Sequence, residues 1–324
     1  MKKYDFAIIG AGAAGIAAAG QIARTFSNAT CVLIEKDSRP GGILLQCIHT
    51  GFGLNYFKQE LTGPEYAQKA FAMLDTNKTE MLLNTTVIEI SHEKTIQCCN
   101  EHGSFSIAFD KLVLATGSRE IPFSALSVPS NRPAGIFGAG EAQLLINRYA
   151  IRPGNTAVIL GAGDIGLIMA RRLVFEGMQV AAVIEIRSEP GGVKRNIQTC
   201  IYDLEIPLHT ESTIIKVHGQ DRVTGVTLAR VNSACEPDFK TTEFIACDFV
   251  LSAIGLMPEI SLAKNVGAQI TNGHLQLDQH GRSSLPWLYA CGNAARIFPI
   301  VDDVSSTAEE MVSTALHHDH GVCQ

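Results

Sequence analysis

The stretch YDFAIIGAGAAG, residues 4–15, decides the fold of this 324-residue chain. An apolar run typical of a buried strand leads into the spacing G-x-G-x-x-G, and an alanine-rich segment with helical periodicity follows. In such a unit the first glycine allows a tight turn, the second lets the backbone approach a pyrophosphate, and the third lets the helix pack closely on the strand. Gly10, Gly12 and Gly15 therefore predict a dinucleotide site at a helix N-terminus, where unpaired N–H groups favour phosphate.

A carboxylate stands where this kind of site needs one. The second apolar run, CVLI at 31–34, ends at Glu35, and Pro-Gly-Gly follows at 40–42. An acid at the end of the second strand, about 20 residues after the glycines, can accept hydrogen bonds from ribose hydroxyls. The alternative, in which the glycines serve close packing alone, does not account for Glu35, so the nucleotide interpretation is favoured.

The pattern occurs a second time. NTAVILGAGDIG (155–166), VAAVIEIRSEPGG (180–192) and DFVLSAIGLMP (248–258) repeat a strand with a glycine turn, a strand with glutamate before Pro-Gly-Gly, and a later strand that leads into a glycine. A long period that is present in only two copies indicates two related domains rather than a solenoid.

The second copy predicts another nucleotide site, formed by Gly161, Gly163 and Gly166 with Glu185 at the ribose. A carboxylate there repels a 2′-phosphate and favours NAD over NADP, although Arg187, two residues on, weakens that preference. A duplicated domain can also keep its glycines for packing after losing its ligand, and this alternative stays open.

These patterns predict the α/β fold class, with two Rossmann-like dinucleotide-binding domains that each contain a parallel sheet and a small antiparallel β-layer. We expect a discontinuous first domain, residues 1–121 and 256–324, and an inserted second domain, residues 122–255. The segments SREIP (118–122) and GLMPE (255–259) are the expected crossings between them.

Composition excludes several function classes. The formal net charge of −6 gives no reason to expect nucleic acid as a partner, and the sequence has no uninterrupted apolar run long enough for a transmembrane helix. Only three residues precede the first apolar run, so we expect no cleavable signal. Nine cysteines without any C-x-x-C argue against a disulfide scaffold or a zinc ribbon. We therefore expect a cytoplasmic, reduced protein without a metal site.

Two further motifs carry a family resemblance. ATGSREIP (115–122) and LYACGN (288–293) resemble segments of flavoproteins with two dinucleotide-binding domains, the relatives of thioredoxin reductase and the pyridine-nucleotide disulfide oxidoreductases. The resemblance implies FAD in the first domain and NAD(H) in the second. The residues implied at FAD are Gly10, Gly12, Ala13, Ala14, Gly15, Glu35, Lys36, Gly41, Gly42, Val87, Ala115, Thr116, Gly117, Gly292 and Asn293. Those implied at NAD or another nucleotide are Gly161, Gly163, Asp164, Ile165, Gly166, Glu185 and Gly255.

Two positions depart from the usual form of these motifs. Asn293 replaces an aspartate that usually bonds the ribityl chain, and an amide can still offer a donor and an acceptor there. Ile168 stands where many NAD-reducing relatives have glutamate, which leaves other adenine nucleotides open as ligands of the second domain.

A longer segment narrows the resemblance. GGILLQCIHTGFGLNYFKQELTGPEYAQ (41–68) looks like a bacterial FAD/NAD-linked subfamily associated with glycerol-3-phosphate dehydrogenase partners, and the chain is more distantly similar to the α subunits of opine oxidase and hydrogen cyanide synthase. In those complexes a separate subunit oxidises the substrate. The resemblance therefore implies a hetero-oligomer with a substrate dehydrogenase of the glycerol-3-phosphate or the amine/opine type.

The same segment holds the candidate catalytic residues, Cys47 and His49. The redox-active C-x-x-C of thioredoxin reductases and the C-x-x-x-x-C of lipoamide-type reductases are both missing, and the chain ends too early for the dimerisation domain of the latter. We therefore expect no redox-active disulfide. Cys47 is either a buried apolar filler or a thiol that tunes the flavin, and His49 either relays protons or hydrogen-bonds a backbone carbonyl.

Acids and histidines near the C-terminus have simpler explanations. Asp302 and Asp303 begin the last predicted helix, where the helix dipole favours carboxylates, and the alternative is that they shape the pyrimidine end of the flavin. The histidines at 317, 318 and 320 are expected in a disordered end rather than a metal site.

Three functions remain open at this point. The first is an FAD-dependent, electron-transferring subunit that works with a substrate dehydrogenase and exchanges electrons with NAD(H) or another carrier. The second is a self-contained NADH-dependent reductase of a small acceptor, and the third is a non-catalytic nucleotide-binding scaffold.

Overall fold

A computed structural model describes residues 1–316, which form two compact units. The first unit contains Met1–Arg119 and the chain from Met257 onward, and the second contains Glu120–Leu256. The histidines at 317, 318 and 320 lie outside the described residues. Among residues 1–316, none of the helices has the length and apolar character that crossing a bilayer requires.

The first unit is built on a seven-stranded sheet. Its parallel part places Lys2–Ile9 between Cys31–Ile34 and Gly103–Leu114. The remaining strands of this sheet are Thr79–Leu82, Thr86–Ile90, Thr95–Asn100 and Leu288–Ala290. Shorter pairs join Thr50–Phe52 to Leu61–Thr62 and Ile270–Thr271 to His274–Leu275.

The strand Gly103–Leu114 explains how the antiparallel strands of this unit are attached. Its first half pairs antiparallel with Thr95–Asn100 along one edge, and its last residues pair parallel with Leu288–Ala290 along the same edge. The expected antiparallel layer is therefore a continuation of the main sheet here, because one 12-residue strand belongs to both parts.

Helices cover one face of this sheet. Ala13–Thr25, Gly63–Ala72 and Val301–Met311 pack on it through alanines and other small or apolar side chains. Gly63–Ala72 begins with a capping box, in which Thr62 and Glu65 bind each other's backbone N–H groups. The opposite face buries a second apolar cluster that includes Phe109 and Trp287. Shorter helical turns are Gly42–Gln46, Ser261–Asn265, Gly292–Ala294 and Val312–Leu316.

The second unit repeats this plan with separate layers. A five-stranded parallel sheet has the spatial order Ile136–Gly138, Phe249–Ser252, Thr156–Leu160, Gln179–Ile184 and Leu208–His209. One face packs on the helices Ala139–Tyr149 and Asp164–Phe175. The other packs on a distinct antiparallel sheet of Ser212–His218, Gly225–Val231 and Pro237–Ile245. Phe123–Leu126, Lys194–Ile197 and Gln198–Tyr202 are short helical turns.

Short strands carry the two crossings, Ser118–Glu120 and Leu256–Pro258. The α/β fold class with Rossmann-like sheets is thus confirmed. The central parallel strands, such as Cys31–Ile34 and Phe249–Ser252, are buried at every position because both faces of a parallel sheet are covered.

A buried polar contact within the first unit gives a stability prediction. The Tyr66 hydroxyl donates to Ser305 Oγ at 2.7 Å, and both side chains are fully buried. We expect Ser305→Ala to lower the free energy of unfolding by about 1–3 kcal/mol, because a buried hydroxyl is left unpaired. The double variant Tyr66→Phe/Ser305→Ala should lose less than the sum of the two single variants in urea unfolding. Full additivity would contradict this contact.

Candidate functional site

The first glycine turn leaves room for a ligand at one glycine only. Gly10 adopts φ +101°, and a Cβ there would lie 2.4 Å from the Ala115 carbonyl oxygen, whereas a Cβ on Gly15 would lie 1.8 Å from the Gly10 oxygen. A Cβ on Gly12 would meet no atom within 4 Å. Gly10 and Gly15 are therefore required by the fold itself, and Gly12 faces open space at the start of the helix Ala13–Thr25.

Glu35 is joined to this turn. Its carboxylate is 6% exposed and accepts the backbone N–H of Ala11 at Oε2 (2.7 Å) and of Asp37 at Oε1 (2.9 Å). A carboxylate has about four acceptor positions, so lone pairs remain for two ribose hydroxyls. The side chain is thereby fixed beside the turn.

The Pro-Gly-Gly segment folds back onto the same turn. The N–H of Gly41 donates to the Ala11 carbonyl oxygen at 2.7 Å. A Cβ on Gly42 would stand 3.2 Å from the Gly12 Cα, so two backbones approach closely at this point. The helix start, Glu35 and Pro-Gly-Gly thus lie together although up to about 30 residues separate them in the chain.

Several of the remaining residues expected at FAD lie next to the first glycine turn. Ala115 packs on Gly10, the Thr116 hydroxyl donates to the Glu259 carbonyl oxygen at 2.6 Å, and Gly117 has open space at its Cβ position. Ala13 and Ala14 are buried in the first helical turn, and Val87 is half-buried. Lys36 is exposed and lies outside this cluster of buried groups.

The segment LYACGN (288–293) lies against the start of the helix Ala13–Thr25. A Cβ on Gly292 would lie 2.6 Å from the Ala14 Cβ, so this backbone lies against the first helix. Asn293 uses its amide oxygen to accept the N–H of Phe298 at 3.0 Å. The residues fit a bound FAD: the space over Gly12, the buried Glu35 carboxylate and the three converging backbones form a cradle that side chains would fill.

The second unit reproduces this arrangement closely. Gly161 adopts φ +106° with its Cβ position 2.3 Å from the Ala253 oxygen, a Cβ on Gly166 would lie 2.1 Å from the Gly161 oxygen, and Gly163 has nothing within 4 Å. The N–H groups of Gly191 and Gly192 donate to the Ala162 carbonyl oxygen at 3.0 and 3.1 Å. Space for a phosphate is therefore present in this copy as well.

The acid of the second copy carries an extra partner. Glu185 is 3% exposed and accepts the N–H of Ala162 (2.9 Å) and of Arg187 (3.1 Å), as Glu35 does in the first unit. The Arg187 guanidinium also donates to both carboxylate oxygens, through Nε at 3.0 Å and through its terminal nitrogen at 3.3 Å. Burial favours the neutral acid, but the hydrogen bonds from Arg187 outweigh burial and lower the pKa of Glu185.

Asp164, Ile165 and Gly255 are the other residues expected at this second site. The Asp164 carboxylate begins the helix and accepts the Val193 N–H (2.9 Å) and the Asn196 amide (2.8 Å), which fixes the chain after Pro-Gly-Gly. Ile165 packs on the helical layer, and Gly255 adopts φ +131° at an exposed position after the strand Phe249–Ser252. Asp164 therefore binds protein groups on the loop that faces Gly163.

Cys47 and His49 lie in the segment after the first Pro-Gly-Gly. Cys47 is 9% exposed, its thiol donates to the Ile43 carbonyl oxygen at 3.3 Å, and burial raises its pKa to about 12. His49 is half-buried, hydrogen-bonds the Thr50 carbonyl oxygen through Nδ1 (3.1 Å), and has its ring 4.9 Å from that of Phe52. The thiol is thus neutral at physiological pH, and the imidazole has a backbone partner.

Asp302 is a residue whose contacts the sequence did not indicate. Its carboxylate, 3% exposed, binds the backbone of Gly53, Asn55 and Tyr56. Its position in the sequence indicates only a helix start, since nothing local connects it with a loop about 250 residues earlier. Among the described residues, no group of three or more histidine, cysteine or acidic side chains is arranged to hold a metal.

The two open glycines allow binding and folding to be separated. We expect Gly12→Val to melt within a few degrees of the wild-type protein without cofactor, yet to raise the dissociation constant for FAD at least about tenfold, because the side chain occupies the phosphate space. Gly163→Val should keep FAD and lose nucleotide affinity at the second unit. Absorbance of the purified variants and calorimetric titration measure both effects.

Gly15→Ala is the matched control, since a Cβ there meets the Gly10 oxygen at 1.8 Å and must disturb folding itself. Full FAD content in Gly12→Val would contradict the assignment of this turn to phosphate.

The thiol pKa gives a second prediction. At pH 8 we expect iodoacetamide to modify Cys235, which is exposed, at least about tenfold faster than Cys47, because only the thiolate reacts and burial holds Cys47 as a neutral thiol. Mass spectrometry of peptides over a time course measures both rates in one sample. Equal rates would show that the Cys47 thiol ionises readily.

Comparison with known proteins fixes the family. The family model for pyridine nucleotide-disulphide oxidoreductase matches residues 4–317. The chain is 24% identical over 314 residues to hydrogen cyanide synthase subunit HcnB of Pseudomonas aeruginosa, covering 90% of this chain and 66% of that protein. It is 25% identical over 309 residues to an NADH oxidase of Methanocaldococcus jannaschii, covering 91% and 64%. The chain thus spans just under two thirds of the length of these curated relatives.

Solved structures agree on the fold. The thioredoxin reductase of T. acidophilum superposes with a TM-score of 0.78 at 22% identity, covering 99% of both chains. Members of the family use FAD and NAD(P)H, so the cofactors expected from the resemblance are confirmed. The chain therefore belongs to the pyridine nucleotide-disulphide oxidoreductase family.

Proposed function

We propose that this protein passes electron pairs between NAD(H), bound on the second unit, and a separate substrate dehydrogenase, through FAD on the first unit and without a redox-active disulfide. The observation that carries the proposal is the duplicated turn: both units keep an open space over the middle glycine and a buried glutamate bonded to the turn. A domain that had lost its ligand would have no reason to keep both features.

The protein's own groups bind and orient the two nucleotides. Gly12 and the first turn of Ala13–Thr25 would hold the diphosphate of FAD, Glu35 would hold its ribose, and the segments around Thr116 and Gly292 would close the cradle. Gly163 and Glu185 would do the same for the second nucleotide. When bound, FAD supplies hydride and electron transfer, which no side chain provides.

Cys47 is the reason to exclude a dithiol relay. Disulfide exchange needs a thiolate nucleophile, and a thiol with a pKa of about 12 is almost entirely protonated at pH 7. The chain has no C-x-x-C or C-x-x-x-x-C that would supply a second thiol at the usual spacing. We therefore assign Cys47 to packing beside the flavin, and electrons leave without a thiol carrier.

The proposed electron donor or acceptor is a partner subunit. The similarity to HcnB, which is a synthase subunit, supports this role. The resemblance of residues 41–68 points to a dehydrogenase of the glycerol-3-phosphate or the amine/opine type. The similarity to an NADH oxidase favours the second candidate, a self-contained reductase that hands electrons to a small acceptor.

Arg187 bears on the choice of nicotinamide nucleotide. Glu185 would repel a 2′-phosphate, but Arg187 holds a positive charge against that carboxylate at 3.0 Å. The pair leaves the adenosine site nearly neutral. We therefore propose that NADH is preferred only modestly over NADPH, and that Arg187→Ala sharpens the preference.

The test is anaerobic addition of NADH to the purified protein. We expect the flavin absorbance to bleach, because both candidate functions require hydride to reach FAD, and we expect Gly163→Val to retain its flavin and bleach at least about tenfold more slowly. Rapid-mixing absorbance measures the rate, and NADPH and Arg187→Ala test the nucleotide preference.

The outcomes separate the candidates. Bleaching followed by fast reoxidation with a small acceptor favours the self-contained reductase, whereas bleaching that needs a co-purified dehydrogenase for reoxidation favours the subunit. A protein with bound FAD that NADH does not bleach would overturn the NAD(H)-linked proposal, and a protein that binds no FAD would leave a scaffold role.

A further inference from the structure

The carboxylate of Asp302 accepts three hydrogen bonds from the backbone of a distant loop. Oδ2 accepts the N–H of Gly53 at 3.0 Å, and Oδ1 accepts the N–H groups of Asn55 (3.0 Å) and Tyr56 (2.6 Å). The side chain is 3% exposed although it belongs to the first turn of Val301–Met311. The neighbouring Asp303 is exposed, as a carboxylate that serves only the helix dipole would be.

Three backbone donors around one buried carboxylate form a specific site. Hydrogen bonds to a charged acceptor are among the stronger ones in proteins, and a buried carboxylate is tolerated only when such donors surround it. Asparagine at this position has the same shape but presents an amide NH₂ where one oxygen now accepts, so it cannot bind both sets of N–H groups.

Two further side chains on the same face of the helix Val301–Met311 bind this part of the chain. Ser305 Oγ accepts the Tyr66 hydroxyl at 2.7 Å, and Glu309 Oε1 accepts the Tyr56 hydroxyl at 2.8 Å. Positions 302, 305 and 309 follow the helical spacing i, i+3, i+7 and therefore form one stripe. This stripe, Asp302 with Ser305 and Glu309, holds the chain between residues 53 and 66.

The attached loop directly follows the segment with the candidate redox residues. Gly53 comes after the strand Thr50–Phe52, whose Thr50 carbonyl accepts the His49 hydrogen bond and whose Phe52 ring lies 4.9 Å from the imidazole. At the other end the Cys47 carbonyl accepts the N–H of Gly63 at 2.8 Å. Residues 47–52 are thus held from both sides.

The helix of Asp302 also touches the cofactor cradle. A Cβ on Gly292 would lie 3.3 Å from Val304 Cγ1 and 2.6 Å from Ala14, which places the first turn of this helix beside the start of Ala13–Thr25. Gly41 and Gly42, which lead into residues 43–52, bind the same turn. Asp302 therefore joins two of the chain segments that build the FAD site.

We propose that Asp302 is a positioning residue: it fixes residues 47–52, and with them the Cys47 and His49 side chains, against the flavin. The inference rests on the proposed FAD site of the first unit. Asp302 acts through the loop Gly53–Tyr56 and does not itself carry out chemistry. Because groups beside the ring tune a flavin's electronics, loosening this segment changes the flavin's reduction potential.

The experiment compares Asp302→Asn with Asp303→Asn, a matched control that makes the same chemical change one residue along the same helix turn. Hydrogen–deuterium exchange of the FAD-loaded protein should show the amides of Gly53, Asn55 and Tyr56 exchanging about tenfold faster in Asp302→Asn, because their charged acceptor is lost. Dithionite titration with indicator dyes should show a shifted flavin midpoint potential in Asp302→Asn and an unchanged one in Asp303→Asn.

Neither readout needs NADH or a partner, so failure of the proposed electron route and failure of this inference remain distinguishable. An unchanged potential in Asp302→Asn together with faster exchange would assign Asp302 to stability alone and overturn the proposal. If Asp302→Asn does not fold, the same measurement on the wild-type protein decides. The amides of Gly53, Asn55 and Tyr56 should then exchange more slowly than those of the exposed strand residues Thr50 and Gly51. Equal exchange rates would overturn the proposed role of Asp302.

Discussion

The structure depends on how closely the first helix of each unit approaches the strand before it. A Cβ on Gly15 would stand 1.8 Å from the Gly10 oxygen, and a Cβ on Gly166 would stand 2.1 Å from the Gly161 oxygen, so only hydrogen fits between turn and helix. This contact directs the helix N-terminus toward the carboxyl edge of the sheet, where Gly12 and Gly163 face open space. The open space over Gly12 and Gly163 therefore follows from that one steric constraint.

The two copies diverge beside the buried glutamate. Both acids accept an N–H from the alanine of the turn and one from the residue two positions on, but that residue is Asp37 in the first unit and Arg187 in the second. The arginine side chain reaches back onto Glu185, while Asp37 has no such reach. The same backbone geometry thus supports two different charge environments at the ribose.

The first unit has a segment that its C-terminal helix holds in place. Residues 43–62 run from the Pro-Gly-Gly turn to the capping box at Thr62, and the C-terminal helix binds them through one stripe of polar side chains. Burial there makes Cys47 a neutral thiol and gives His49 a backbone partner.

The resemblance of short motifs such as ATGSREIP and LYACGN to known flavoproteins indicated the family and its cofactors. The sequence by itself also determined the α/β class and the duplication, because glycine spacing and the acid at the strand end are local consequences of one turn geometry. It did not determine that Gly103–Leu114 merges the antiparallel strands with the main sheet, since strand length alone does not specify which edge each part pairs along. Nor did it indicate the partners of Asp302. Those depend on contacts between segments about 250 residues apart, and only the packed tertiary structure brings the C-terminal helix onto the loop that follows His49.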